Sequence, residues 1–387
     1  MQKNLFQKIC LITGTAAVAF TAVAGCLSMT GCGKADTDST QEAKETVAKY
    51  DFSKVNPQDY ISLPDYKDKD LITEYPQEVT DADVDEQFKT LITNQPVYKK
   101  ITAGEVKDGD SVNIDYTATT DDAKVGEGTN NRLDIGTDDT LKEVGDSLIG
   151  HIPGDTYVIS ITFPDDYEGT YEDKDGKEQK LAGAKADFNI SVNYIYGDKK
   201  NESEITDEDV SEMTGDAYKS VDDYKAFIKG QLVKEQESSV LSTVWESLIA
   251  ETDVLDAKKD DFKQITDYEF QYETNYYEQM AEAYGTDMET LATNYGYDDE
   301  DAFIESIKTD SEEIVKHYLI AYGIAEKENL LVKDENLADE EKAILSDYGV
   351  DTVEELEDTY GKTEIKLYIQ LQKVDEYLLK ELGLTKS

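Results

Sequence analysis

The chain has 387 residues, more than one compact core ordinarily carries, so two or three domains are expected. Its 38 basic and 86 acidic residues give a formal net charge of −48, and Arg132 is the only arginine. Such an excess favours solubility and excludes nucleic-acid binding through phosphates, since no Lys/Arg cluster is large enough to form a footprint. The acidic surplus is read as a solvated surface rather than a dedicated binding face.

Residues 1–32 read as an export signal. Lys3 and Lys8 make a short basic start, Ile9 to Ala24 is almost uncharged and apolar, and small residues lead up to cysteine. Val23-Ala24-Gly25-Cys26 and Met29-Thr30-Gly31-Cys32 both resemble the lipobox of bacterial lipoproteins. That resemblance implies a diacylglycerol on the cysteine and a chain held on the extracytoplasmic face of the cell membrane. Cys32, followed at once by polar sequence, is preferred as the lipidation site, with Cys26 as the alternative. Two acyl chains, at about 0.8 kcal/mol per buried CH₂, suffice for stable anchoring. Cys10 lies inside the signal, so an exported domain would have no disulfide framework and would depend on its core.

Residues 33–58 are polar with alternating charge and read as a tether. Residues 59–103 form a strand-helix lead-in expected to pack with a helical domain. Leu71 to Pro76 reads as a strand, and Thr80 caps a helix with Val84, Phe88, Leu91 and Ile92 at helical spacing.

Within 104–197 the pattern changes to period two. Val112, Ile114 and Tyr116 alternate with polar residues after the turn Asp108-Gly109-Asp110. Tyr157, Ile159, Ile161 and Phe163 share one face of a second strand, and Phe188, Ile190, Val192 and Tyr194 one face of a third. Leu141, Val144 and Leu148 between them suit one or two helical turns laid on a sheet. Four blocks then occur in order: Gly109-Asp110-Ser111-Val112-Asn113-Ile114-Asp115-Tyr116-Thr117; Ile149-Gly150-His151-Ile152-Pro153-Gly154-Asp155; Phe163-Pro164-Asp165-Asp166-Tyr167; and Leu181-Ala182-Gly183-Ala184-Lys185-Ala186-Asp187-Phe188. Together they resemble the FKBP-type peptidyl-prolyl isomerase domain in the form carried by trigger factor. The expected fold is α+β, an FKBP-like antiparallel sheet wrapped on a short helix.

The same resemblance implies a catalytic pocket. Tyr116, Tyr167 and Phe188 fall on family aromatic positions, while Leu141 and Val144 fall on the pocket floor. Val125 stands where the family usually has phenylalanine, Gly126 or Glu127 where it has an acidic residue, and Asn131 where another phenylalanine is common. Isomerisation of an X-Pro bond needs no cofactor, nucleophile or metal, because a dry apolar pocket favours the twisted, less polar amide. His151 and His317, the only histidines, lie in different predicted domains, which argues against a metal or triad site. Asp173-Lys174-Asp175-Gly176 reads as a hairpin tip rather than a calcium loop.

Residues 198–387 carry charged helices without strand pattern. Helices are expected near Val221–Thr252, Lys258–Tyr284, Asp299–Lys327 and Lys362–Leu382, with Tyr-Gly turns at 284–285, 295–296, 348–349 and 360–361. Helix order and local patterns from Ile205 to the last helix resemble the trigger factor C-terminal domain, which implies an all-α chaperone domain. Tyr268, Tyr272, Tyr276 and Tyr284 extend along one helix and are candidates for binding client chains, with helix packing as the other reading. The expected partners are unfolded or newly translocated proteins and X-Pro peptides, and the membrane through the lipid anchor. No segment matches trigger factor's ribosome-docking domain, so ribosome binding is not expected. The function expected is an exported foldase, isomerase and chaperone; the alternative is an inactive holdase that keeps the isomerase fold as a scaffold.

Overall fold

The computed structural model describes residues 47–120, 123–137 and 142–385. Cys26, Cys32, Leu141 and residues 33–46 of the expected tether lie outside the described residues. The chain divides into two compact units, one of residues 80–230 and one that joins the residues up to 79 to 231–387.

The first unit begins with helix α1 (Asp81–Asn94), held by a Thr80–Asp83 capping box and burying Val84, Phe88 and Ile92. Strands β1 (Tyr98–Ile101), β2 (Ser111–Thr120), β3 (Ala123–Asp134), β4 (Thr156–Thr162) and β7 (Lys185–Lys199) form an antiparallel sheet in the order β1-β7-β2-β3, with β4 also on β7. A separate hairpin pairs β5 (Thr170–Glu172) with β6 (Glu178–Lys180). β7 is the organising strand, because it is long enough to pair with β1 near one end, with β4 near the other and with β2 along most of its length. Alternation puts Ala186, Phe188, Ile190 and Val192 on the core face of β7. Helix α2 (Lys142–Leu148) adds Val144 and Leu148 to the core of Val112, Ile114, Ile161 and Phe163. The unit closes with α3 (Asp207–Met213) and the start of α4 (Val221–Glu251), whose residues to Gly230 belong to it.

In the second unit the rest of α4 is followed by α5 (Lys259–Ala283), α6 (Met288–Asn294), α7 (Glu300–Glu328), α8 (Asp334–Tyr348), α9 (Val353–Tyr360) and α10 (Lys362–Glu381). Helix α7 is buried on every face from Ile314 to Ala325, among Trp245 and Leu248 of α4 and Leu371, Val374 and Leu378 of α10. Satellite cores form around Phe303, Tyr277 and Leu291, and around Leu356, Leu337 and Ile365. His317 is 1% exposed with both ring nitrogens unbonded, and burial lowers its pKa to about 3, so it sits neutral against Trp245 at 4.1 Å. It is a core histidine. Among the described residues, no helix is long and apolar enough to cross a membrane.

The structure corrects three sequence-based expectations. Leu71 to Pro76 is not a strand: the chain makes a 3₁₀ turn at Lys69–Leu71, with Leu71 buried and no partner strand beside it. The stretch expected as tether to residue 58 is packed over its described part, with Phe52 2% exposed and Pro57 buried in the helical unit. The lead-in 59–103 is also divided, since the residues to Val79 belong with the helices and α1 and β1 belong with the sheet. The N-terminal segment joins the helical core because Phe52, Ile61, Tyr66 and Leu71 bury there, and Ile61 bridges to Val254. Gly323 in α7 permits this approach: a Cβ there would stand 3.0 Å from Leu63 Cδ1.

Candidate functional site

The aromatic residues of the sheet unit form a continuous row. Tyr116 stacks on Phe188 at 5.9 Å, Phe188 meets Phe163 at 6.1 Å, and Phe163 meets Tyr167 at 4.8 Å. Phe188 and Phe163 are nearly buried, Tyr116 is half-buried, and Tyr167 is 38% exposed. The row therefore runs from the core to the surface, with Tyr167 the ring that solvent and any ligand meet first.

Each ring is placed by a local feature of the chain. Tyr116 pairs with Gly128 across β2 and β3, and its ring lies over that strand: a Cβ on Gly128 would sit 2.7 Å from Tyr116 Cε1. Gly126 leaves room for the other edge of the ring, with Cε2 at 3.7 Å from its ideal Cβ. Phe163 enters from the end of β4, where its N–H donates to Ala184 O at 2.9 Å. Pro164 then starts a turn closed by Tyr167 N–H to Pro164 O at 3.1 Å. The returning chain carries Gly169, whose missing Cβ leaves space for the Tyr167 ring.

Of the residues expected in the pocket, Tyr116, Val125, Val144 and Phe188 all belong to one hydrophobic cluster, and Phe163 ties Tyr167 to it. Leu141 is outside the described residues. Val125 and Val144 contribute aliphatic rather than aromatic surface. Phe163 was read from the sequence only as a strand residue, although the Phe-Pro pair preceding Tyr167 marked it. Asn131 lies against Gly128 on the edge strand β3, paired with Ile114 of β2.

Polar groups nearby are engaged in structural bonds. His151 Nδ1 lies 2.9 Å from Asp155 Oδ2, and its ring stacks on Tyr157 at 3.8 Å. The hydrogen bond with His151 holds the Asp155 carboxyl below the usual range. Asp173 Oδ1 accepts the Asp175 and Lys177 N–H groups at 2.9 and 3.0 Å, fixing the tip of the β5–β6 hairpin. Among the described residues, no group of three or more His, Cys, Asp or Glu side chains is placed to hold a metal ion. What the row can offer chemically is an apolar, ring-lined surface without acid or base.

The tyrosines of α5 have different surroundings. Tyr268 donates its hydroxyl to Ala48 O at 2.9 Å and meets Tyr50 at 5.6 Å. Tyr272 lies under the Lys49 ammonium at 4.1 Å. Tyr276 packs on the satellite core, and burial pushes its hydroxyl up to about 12. Tyr284 is 59% exposed at the helix end. Two of the four are therefore covered by this chain's own residues 48–50.

The chain is similar to known proteins. The family of the bacterial trigger factor protein C-terminus matches residues 220–381. The trigger factor of Macrococcus caseolyticus is 26% identical over 349 residues, covering 89% of this chain and 77% of that protein. The trigger factor of Staphylococcus saprophyticus is 27% identical over 333 residues, covering 84% and 71%. That of Bacillus pumilus is 25% identical over 334 residues, covering 84% and 74%. A solved chain of the trigger factor chaperone, described for promiscuous substrate recognition in folding and assembly, aligns over 84% of this chain and 73% of its own at 16% identity, with a TM-score of only 0.41. By the family match over its C-terminal part and by these relatives, the chain is similar to trigger factors.

Proposed function

We propose that this chain is an exported foldase: an FKBP-type peptidyl-prolyl isomerase joined to a helical chaperone unit, lipid-anchored on the outer face of the cell membrane and acting on newly translocated proteins. The observation that carries the isomerase reading is the aromatic row Tyr116–Phe188–Phe163–Tyr167, which emerges from a dry core at Tyr167. An X-Pro amide rotates over a barrier of about 18–20 kcal/mol. In the twisted state resonance is lost and the carbonyl is less polar than in the ground state. A surface that strips water from the amide and offers rings to the proline therefore stabilises the twisted state differentially. A thousandfold acceleration requires about 4 kcal/mol of that difference. Tyr116, Phe163 and Phe188 would form the floor, Tyr167 the outer wall, and Val125 and Val144 aliphatic sides. The test is refolding of a client limited by prolyl isomerisation: wild type should shorten the slow phase, and Tyr167→Ala should weaken the effect.

A second reading, an inactive holdase, is favoured by Val125 and Val144, which leave the sides of the row without rings. It predicts suppression of client aggregation with no change in the slow phase. The chaperone reading itself is supported by the trigger factor relatives and by the C-terminal family match. Export and anchoring are supported by the basic-apolar-Cys order of residues 1–32. Expressed in a bacterium, Cys32→Ser should move the protein from membrane to soluble fraction while Cys26→Ser leaves it bound. The reverse pattern would assign Cys26, and membrane retention of the double variant would refute lipid anchoring.

A further inference from the structure

The N-terminal segment is held to α5 by a buried lysine. The Lys49 side chain is 4% exposed, with Nζ 2.5 Å from Glu269 Oε1 and 3.6 Å from Glu273 Oε1. Its ammonium also lies 4.1 Å from the Tyr272 ring centre and 5.3 Å from that of Tyr318. On either side the segment lays down backbone and rings: Ala48 O accepts from Tyr268, Tyr50 meets Tyr268 at 5.6 Å, and Phe52 meets Tyr318 at 4.9 Å. This arrangement gives a socket for a cation with apolar ring contacts on one side, which is how a basic residue followed by aromatics would be recognised.

The socket holds more acid than its lysine satisfies. Glu269 is fully buried, and its Oε2 has no hydrogen-bond partner in the described structure. Burial pushes Glu273 up to about 7, with the Lys49 charge opposing the shift and Glu269 adding to it. Burial likewise pushes Glu364 of α10 up to about 7, again opposed by Lys49 and reinforced by Glu269. The other groups facing the socket are tyrosines: Tyr318 from α7, and Tyr272, Tyr276 and Tyr277 from α5. A carboxyl whose folded pKa is raised stabilises the closed state below its unfolded pKa, and that stabilisation is lost as pH rises toward 7. Deprotonation then leaves uncompensated negative charge in a dry site, which opening to water relieves.

We propose that residues 47–52 form a releasable strap over the tyrosine face of α5, and that the socket beneath accepts a lysine followed by aromatic residues in an extended polypeptide, from this chain in the closed state or from another chain once the strap lifts. Naming an unfolded protein as the other chain rests on the chaperone reading; the strap and socket do not. The same face then serves as a site that the protein itself occupies until displaced.

The test uses the full chain with Lys49→Ala and a labelled peptide of residues 47–52, Val-Ala-Lys-Tyr-Asp-Phe. The variant should bind the peptide at least about tenfold more tightly than wild type does. Adding Glu269→Gln should remove the gain, and a peptide with alanine in place of lysine should not bind. Equal binding of the two peptides, or no gain over wild type, overturns the proposal. A second measurement needs no variant: after correction for intrinsic rates, amides of residues 49–52 in wild type should exchange faster at pH 8 than at pH 6 relative to those of α7. If they exchange in step with α7 at both pH values, the segment is a fixed part of the core and there is no strap. The peptide has no proline, so its failure leaves the isomerase reading untouched, and an inactive isomerase pocket leaves this result untouched.

Discussion

In the sheet unit the aromatic row lies on an apolar interior away from the unit's buried Lys200–Asp209 ion pair, whereas the helical unit carries a lysine, several carboxyls and a histidine within its core. The row Tyr116–Phe188–Phe163–Tyr167 has no buried titratable partner among its ring contacts. In the helical unit Lys49 pairs with Glu269, Trp245 Nε1 donates to Asp375 at 2.8 Å, and His317 lies neutral against Trp245. The lesson is that ring packing keeps the first region insensitive to pH near neutrality, while buried ionisation makes the second respond. On the readings proposed above, function by shape and function by release of a charged contact fall to different units of one chain.

The largest expected break in this contrast is Trp245→Ala. It removes a 1% exposed ring and leaves Asp375 without its donor, so the helical unit should lose about 3–5 kcal/mol. Calorimetry that resolves the units should show the sheet transition unmoved. Glu269→Ala comes next: it leaves the buried Lys49 without its 2.5 Å partner, and breaking such a pair costs roughly 3–5 kcal/mol before the strap relaxes. In urea titration the loss should be smaller for the Lys49→Met, Glu269→Ala double variant than for Glu269→Ala alone.

On the other side of the contrast, Gly128→Ala should damage the row. Its Cβ would stand 2.0 Å from Asn131 Nδ2 and 2.7 Å from Tyr116 Cε1, and overpacking of that kind costs about 1–3 kcal/mol. Asn131 is the far end of a flexible side chain and can swing aside, so the Tyr116 clash should dominate. Isomerase activity should fall more than stability does. The pH response sharpens the same contrast. Burial raises Glu273, Glu364 and Asp375 to about 7, so the stability they confer is present below pH 4 and lost as pH rises to about 7. His317, lowered to about 3 by burial, acts the opposite way between pH 6.5 and 3. Three raised carboxyls outweigh one histidine, so the helical transition should fall between pH 5 and 7, and Glu273→Gln with Asp375→Asn should flatten the slope. The smallest effect belongs to Tyr284→Ala, which removes a 59% exposed ring and should change stability by less than about 0.5 kcal/mol.

Much of the sheet unit was legible because period two declares itself: β2, β4 and β7 fall where alternation placed them, and Tyr116 and Phe188 came with them. Thr80 before an acidic first turn marked α1, and charged helical runs set off by Tyr-Gly turns marked α4, α5, α7 and α10. Leu71-Ile72-Thr73 looked like a strand because strand-forming residues cluster there, but pairing needs a neighbour that the local sequence cannot supply. The packed segment from residue 47 looked like tether because single apolar residues, Tyr50, Phe52 and Val55, are spaced among charges. What orders them is remote in sequence, since Lys49 meets Glu269 across 220 positions. For the same reason Tyr268 and Tyr272 could be named as a binding face without any sign that the chain covers it. The helices α3, α6 and α9 were missed, being only 7 or 8 residues long and too brief to show a full apolar stripe, and α8 was missed because its buried apolar residues, Leu337 and Ile344, are sparse among charges.

The most direct test of the central claim is prolyl cis/trans exchange in a short X-Pro peptide, followed by NMR, with wild type and with Tyr167→Ala, Phe188→Ala in the chain lacking residues 1–32. Wild type should accelerate exchange and the double variant should lose most of that acceleration while its helical unit remains folded. Exchange at the uncatalysed rate with wild type, alongside intact suppression of client aggregation, would contradict the isomerase assignment and leave the aromatic row a core feature of a holdase.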